Sequence, residues 1–291
     1  MDTSLQDKVF VITGATSGIG LAVAELLTEA GGGMIGIARS ADHCQAAELH
    51  LQRAATAKRV AVLAADLSIQ SEVRRAAAEV EALLDTWGHP HLDGLINNAA
   101  TVPFWQTLTP EGFDMQWALN HLAPFLLTME LLPRLRAAPM ARVVTVSSGS
   151  HRHGKLNWED IQLLRHYSPL RAYCLTKLAN VLFTLELNRR LGENSPIRAF
   201  AADPGLVNTE LGLKSNSFIA RAVWDIRRRG GVTPRRSAAG IAFLVSESSI
   251  QDSVEIYWKD RKPVKPSSRA SNPQAARQLW ELSAQMCGLA D

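Results

Sequence analysis

Cysteine is scarce in this 291-residue sequence. Cys44, Cys174 and Cys287 lie far apart and form no CxxC pair. That excludes a disulfide framework, offers no zinc-ligand spacing and fits a reducing cytosol. Long apolar runs are also missing: no stretch reaches the roughly 18 residues of a membrane span. The N-terminus, Met1-Asp-Thr-Ser-Leu-Gln-Asp-Lys8, is polar and lacks the basic region and apolar core of a signal peptide. A soluble, cytoplasmic protein is expected, with no transmembrane segment. Charge imbalance is small, with Lys+Arg 31 against Asp+Glu 28 for a net +3, so nucleic acid is not an expected partner. What remains is a globular composition, 46% hydrophobic and 20% charged, far from that of a disordered chain.

Short β-rich apolar runs alternate with stretches of helical spacing. Strands are expected at 8–13, 34–38, 59–64, 92–97, 141–147, 197–202 and 252–258. Helices are expected at 19–30, 41–57, 71–87, 109–136, 170–191, 233–246 and 273–287. Thr109 and Thr233 are read as N-caps, each followed by proline at the first helical position, and Pro133 as a terminator. Strands separated by helices of this length imply right-handed βαβ crossovers and a parallel sheet covered on both faces. Length alone would allow about two domains, but the alternation never breaks and no linker divides the chain. One α/β domain over 1–291 is expected, with a lid over about 206–233 and a C-terminal extension over about 260–291. Residues 262–273 read as a surface loop.

Thr13-Gly-Ala-Thr-Ser-Gly-Ile-Gly20 joins the first strand to the first helix. Gly14 permits the tight turn, and Gly18 and Gly20 permit close approach of a pyrophosphate and of helix to strand. A dinucleotide is therefore expected over Gly14, Thr16, Ser17, Gly18, Ile19 and Gly20, at the helix N-terminus. The second strand ends in Arg39-Ser40 with no acid. A guanidinium there suits a 2′-phosphate, so NADP(H) is expected ahead of NAD(H). Tyr173 and Lys177 are four apart and share a helix face. An ammonium beside a phenol lowers the phenol's pKa, as an alcohol–carbonyl acid/base requires. Pro124 lacks the N–H that would pair with the carbonyl of residue 120, leaving that carbonyl to another partner such as water.

The glycine turn, Asn97-Asn-Ala99, Asn120, Ser147-Ser148, Tyr173 with Lys177, and Pro204-Gly205 occur in the order seen in the short-chain dehydrogenase/reductase family, which the chain resembles from about residue 7 to 260. The resemblance implies a seven-stranded Rossmann-type doubly wound sheet and hydride transfer at a nicotinamide. It also implies roles for individual residues. Tyr173 is the acid/base, Ser148 holds the substrate oxygen, Lys177 bonds the nicotinamide ribose, and Asn120 positions a relay water. Asp66 and Leu67 lie at the adenine, Asn97 and Ala99 beside the cofactor, and Pro204, Gly205, Val207 and Thr209 at the carboxamide. Pairing into a homodimer or homotetramer would use helices near 110–136 and 171–192. Ala100 replaces the usual glycine, and Ser17 stands where some NADP-binding members carry a basic residue.

The long interval 149–172, with His151 and His153, resembles the retinol dehydrogenase branch, which implies a small lipophilic carbonyl or alcohol substrate. The lid carries Phe218, Ile219, Val223, Trp224 and Ile226, and a basic cluster Arg227–Arg229 with Arg235 and Arg236. The two histidines are read as substrate-loop or solvent positions, no metal is expected, and Trp105 borders the pocket or packs. The expected activity is carbonyl–alcohol interconversion with NADP(H). A steroid or polyketide ketoreductase, a C=C reductase and a non-catalytic dinucleotide sensor are the alternatives.

Overall fold

The computed structural model describes residues 5–55, 59–205 and 233–289. Eight strands form one sheet in the order β3-β2-β1-β4-β5-β6-β7-β8. They are β1 Val9–Thr13, β2 Gly33–Ala38, β3 Val60–Ala64, β4 Gly94–Asn97, β5 Ala141–Val146, β6 Ile197–Asp203, β7 Tyr257–Lys259 and β8 Lys262–Pro263. The first seven are parallel, and only β8 turns back on β7. The doubly wound α/β domain is thus as expected, with one strand more. The added strand comes from the supposed surface loop, whose first residues pair with β7. The seventh strand is shorter than expected.

The helices are α1 Gly18–Glu29, α2 Ala41–Ala54, α3 Gln70–Thr86, α4 Met115–Trp117, α5 Ala123–Glu130, α6 Leu132–Arg136, α7 Pro169–Leu191, α8 Pro234–Ser246 and α9 Pro273–Met286. Apolar cores line both faces of the sheet. One holds Val11, Ile35, Leu95, Val143 and the inner sides of α3, α5 and α7. The other holds Phe10, Ile12, Ile96, Val144 and the inner sides of α1, α2 and α8. Central strands such as β1 and β5 are buried along their whole length, which is why they read as unbroken apolar runs instead of alternating ones.

The stretch expected as one helix from Thr109 departs from that reading in three places. Gly112 takes φ +83° and the chain folds back, so Leu108 pairs with Asp114. The helix begins at Asp114, whose Oδ1 accepts from the N–H groups of Gln116 and Trp117 at 3.0 and 3.1 Å. Thr109 instead closes the turn by accepting from Phe113 N–H at 3.2 Å. Next, Ala118–Leu122 forms a π-helical segment, in which Ala123 N–H reaches back to the Ala118 carbonyl. A proline at 124 removes a helical donor and crowds the turn before it, and a widened turn relieves that crowding. Finally, Pro133 opens α6 and does not end a helix.

Helix α9 lies across α5 and α7. Trp280 meets Phe125 edge-on at 4.9 Å and stacks on Phe183 at 5.9 Å. Arg190 sits over the Trp280 indole, itself held by the buried Glu186. The chain's own C-terminal helix thus packs on part of the helices that the resemblance assigns to subunit pairing.

His121 is buried between these helices, its Nε2 2.9 Å from Ser283 Oγ and its Nδ1 3.4 Å from the Asn180 amide. Ser283 spends its proton on the Leu279 carbonyl, so His121 donates through Nε2. Burial lowers its pKa from 6.5 to about 4. Between those values the unfolded chain binds a proton that the folded chain does not, so this contribution to stability is full above pH 6.5 and drains as pH falls toward about 4. Asp114, raised by burial from 3.8 to about 6, acts in the opposite direction over the lower part of that range. His121→Gln should therefore make the acid loss of stability shallower than in the wild type, by up to about 1.4 kcal/mol per pH unit. Urea midpoints measured from pH 7 to 4.5 check this, and an unchanged slope would refute it.

Candidate active site

The glycine turn fits the space it must occupy. Gly14 and Gly18 have φ +74° and +57°. A Cβ on Gly20 would lie 2.1 Å from the Gly14 carbonyl oxygen, so only glycine lets α1 press this closely on the turn. Asn98 latches the turn to β4. Its Nδ2 donates to the Thr13 carbonyl at 2.8 Å, while Thr13 Oγ1 accepts from the N–H groups of Asn98 and Ala99, both at 2.9 Å. Asn98 was not singled out from the sequence, although the Asn-Asn doublet contains it.

This region accommodates a dinucleotide phosphate. Ser17 caps α1 without a side-chain hydrogen bond, and no acid lies in the first turn. Those N–H groups remain available to an anion. Thr16 and Ile19 flank them, both partly exposed, and Ser17 is exposed. Arg39 is exposed just past β2, with no hydrogen bond or ion pair among the described residues. Ser40 caps α2 at 3.5 Å from His43 N–H. Asp66 spends Oδ1 on Ser68, and Leu67 is buried beside it. Asn97 donates to Thr128 Oγ1 at 3.1 Å, and its buried Oδ1 has no partner among the described residues. At the far side Gly205, with φ +75°, donates its N–H to Asp203 Oδ1 at 3.0 Å, and Ser237 Oγ holds the Pro204 carbonyl at 2.6 Å. Val207, Thr209, the lid and Arg227–Arg229 lie outside the described residues. Arg235 is tied to Glu29 on α1.

The proton-transfer candidates converge at the C-terminal ends of β4 and β5, beside the point where strand order reverses, which is where open α/β sheets bind ligands. Lys177 is buried, and its Nζ donates to the Val146 carbonyl at 2.8 Å. Its own carbonyl accepts from Ser147 Oγ at 2.8 Å. One turn earlier, the Tyr173 ring centroid lies 5.5 Å from that Nζ. Ser148 stands beside the Tyr173 phenol and draws its pKa down, and Ser148 Oγ accepts from Ser150 N–H at 3.2 Å. Asn120 is buried with its side chain committed: Oδ1 accepts from Thr101 N–H at 2.8 Å, and Nδ2 donates to the Thr101 carbonyl at 2.9 Å.

Titration behaviour differs from the sequence expectation. Burial pushes the Tyr173 phenol up to about 12, with Ser148 pulling the other way, and pushes Lys177 down to about 8. The ammonium is aimed at Val146, not at the phenol oxygen, and burial outweighs it. A phenol in this state is protonated at neutral pH and can act as an acid.

One further expectation changes. His151 is fully buried, neither in solvent nor at an open substrate loop. Trp105 is largely exposed and packs edge-on against Phe104 at 4.8 Å. Leu108, Leu164 and Leu170 are also exposed. Their loops are joined by a hydrogen bond from Tyr167 OH to the Pro103 carbonyl at 3.0 Å. Away from this site, His89, His91 and Asp93 gather their ligand-type atoms within 4.8 Å. Arg59 donates to His89 Nδ1 and Val9 N–H to Asp93, so these groups are already engaged in pinning the start of β1 to β4.

The family model for short chain dehydrogenases matches residues 8–219. Human retinol dehydrogenase 13 is 32% identical over 293 residues, covering 98% of this chain and 86% of its own length. Human retinol dehydrogenase 12 is 34% identical over 288 residues, covering 99% and 89%. A solved structure of a protein from Mycobacterium paratuberculosis has 35% identity and a TM-score of 0.74, covering 98% of this chain and 95% of its own. Among the described residues no helix is long and apolar enough to cross a membrane. With this sheet, this glycine turn and these relatives, the chain belongs to the short-chain dehydrogenase/reductase family, in its retinol dehydrogenase-like branch, whose members interconvert alcohols and carbonyls with a nicotinamide dinucleotide.

Proposed function

We propose that the protein interconverts a lipophilic aldehyde or ketone with its alcohol using NADP(H), with Tyr173 as the general acid/base. The observation that carries this reading is that Tyr173, its ring 5.5 Å from the Nζ of a buried Lys177, is paired with Ser148, which draws the phenol's pKa down. The pair presents two hydroxyls to a single substrate oxygen. A bound nicotinamide supplies or accepts the hydride. As a carbonyl accepts that hydride, Tyr173 delivers its proton to the oxygen, and Ser148 donates a hydrogen bond to the charge that develops there. Lys177, fixed on the Val146 carbonyl, keeps an ammonium beneath the phenol for the ribose and for recharging the acid.

Arg39 supports NADP(H). It stands exposed at the end of β2 with no competing partner among the described residues, where a 2′-phosphate would sit. The turn from Gly14 to Gly20 would hold the pyrophosphate, and Asn97, Ala99, Pro204 and Gly205 the nicotinamide half. The exposed apolar groups Phe104, Trp105, Leu108 and Leu170, close in sequence to Thr101 and Tyr173, support a lipophilic substrate. The cytoplasm, with NADPH as the reductant, fits the protonated state of Tyr173 and favours reduction.

A screen of NADPH oxidation against retinal, steroids, aliphatic aldehydes and quinones should find turnover with at least one lipophilic carbonyl. Tyr173→Phe should lower kcat by roughly 100-fold or more while NADPH binding persists, and turnover retained in that variant would remove Tyr173 from the chemistry. Arg39→Ala should raise the KM for NADPH about tenfold and leave that for NADH unchanged; an unaltered preference would reject the 2′-phosphate assignment. Because the phenol is raised to about 12, reduction needs a form already dominant at neutral pH and oxidation needs the phenolate. Initial rates in both directions should show reduction flat through neutrality and oxidation climbing toward alkaline pH.

A further inference from the structure

His151 lies three residues after Ser148, in the short 3₁₀ turn Gly149–His153, and its ring is completely buried. Both ring nitrogens are used, and their roles are dictated by their partners. Nε2 is 3.1 Å from the backbone N–H of Ser267. A backbone N–H can only donate, so Nε2 must carry a lone pair. The ring proton therefore sits on Nδ1, where a carbonyl oxygen waits: that of Ser148, at 2.8 Å. The imidazole is a neutral bridge from the C-terminal extension to the main chain of Ser148.

The surroundings reinforce that bridge. Arg152 donates to the Lys265 carbonyl at 2.7 Å, and Arg269 to the Gly154 carbonyl at 3.3 Å. The far end of the turn is seated on α7, where a Cβ at Gly154 would lie 2.5 Å from the carbonyl oxygen of Cys174, next to Tyr173. On its open side the His151 ring leans on Tyr257 at 4.7 Å, whose hydroxyl is held by Asp203 Oδ2 at 2.9 Å. The turn carrying Ser148 is thus fixed at one end to the helix carrying Tyr173 and along its length to residues 265–269.

We propose that His151 is a positioning residue. As the Nδ1–H tautomer it sets the Ser148 hydroxyl against Tyr173, and the segment Lys265–Arg269 belongs to the catalytic apparatus because it holds that tautomer. The proposal rests on the reading of Ser148 as the group that meets the substrate oxygen. Burial disfavours the charged ring and lowers the pKa of His151, so the bridge persists at neutral pH. The groups facing it are Ser148, Ser267 and Tyr257, with the charges of Asp203, Arg152 and His153 nearby.

The two amide side chains separate the two nitrogens. Asparagine places its NH₂ near Nδ1 and can still donate to the Ser148 carbonyl; glutamine reaches the Nε2 position and loses that donor. His151→Asn should keep kcat within about threefold of wild type, and His151→Gln should lower it roughly 10- to 100-fold, as a small misplacement of a reacting group does. The KM for NADPH and the thermal midpoint should be alike in the two variants. The probe is NADPH with decanal or all-trans-retinal, whichever the wild type turns over. Equal losses in both variants, or full kcat in His151→Gln, would leave His151 a packing residue and overturn the proposal alone. No turnover by the wild type with any carbonyl of the retinal, steroid, aliphatic aldehyde and quinone screen would overturn the functional reading, and the positioning role with it. Imidazole ¹⁵N spectra of the wild type give a second measurement that needs no variant to fold: a proton on Nδ1 is expected, and a proton on Nε2 would overturn the assignment.

Discussion

An ammonium group taken out of water must be met by an acceptor, and much of this site follows from how Lys177 is met. Its Nζ donates to the Val146 carbonyl, and its own carbonyl receives the hydroxyl of Ser147. The two bonds form a reciprocal clip between the end of β5 and the third turn of α7. With the clip closed, Tyr173 and Ser148 have little choice but to face each other, since one lies a turn before Lys177 and the other one residue past Ser147. The sheet supplies the rigid side of the clip: β5 is central and wholly buried, paired on one edge with β4 and on the other with β6. A group on such a strand end is held far more firmly than one on a loop.

The parts of this arrangement that were legible in the sequence are local. A strand, a glycine turn and a helix are neighbours along the chain, so Thr13 to Gly20 displays its own geometry, down to the contact of Gly20 with the Gly14 carbonyl. The βα alternation is legible for the same reason. Tyr173 and Lys177 needed only the period of a helix. Their pKa values were not legible, because these depend on burial and on where the ammonium points, and both are set by residues distant in sequence.

The misreadings share that origin. The helix was expected from Thr109 because threonine followed by proline is a common start, but Asp114, with Gly112 turning the chain before it, is the stronger cap. His151 looked like a loop histidine because its partner, Ser267, is 116 residues away. Residues 262–273 looked like a surface loop for the converse reason: nothing local shows that they seal the turn at Ser148, or that Ala270 is fully buried. Likewise only the assembled fold shows Trp280 packed against both Phe125 and Phe183.

Gly154 has a consequence for how substrate preference can vary. Its Cα lies so close to α7 that no side chain fits there, and from Pro169 the chain is again helix. Residues 155–168 are therefore a span with a fixed pier at each end. Between the piers the span is also anchored: Ile161 and Leu163 are buried in the core, Gln162 accepts from Asp114 N–H, and Tyr167 donates to the Pro103 carbonyl. Variation that leaves the proton-transfer pair in register is therefore confined to the exposed positions of the span, such as Trp158 and Leu164.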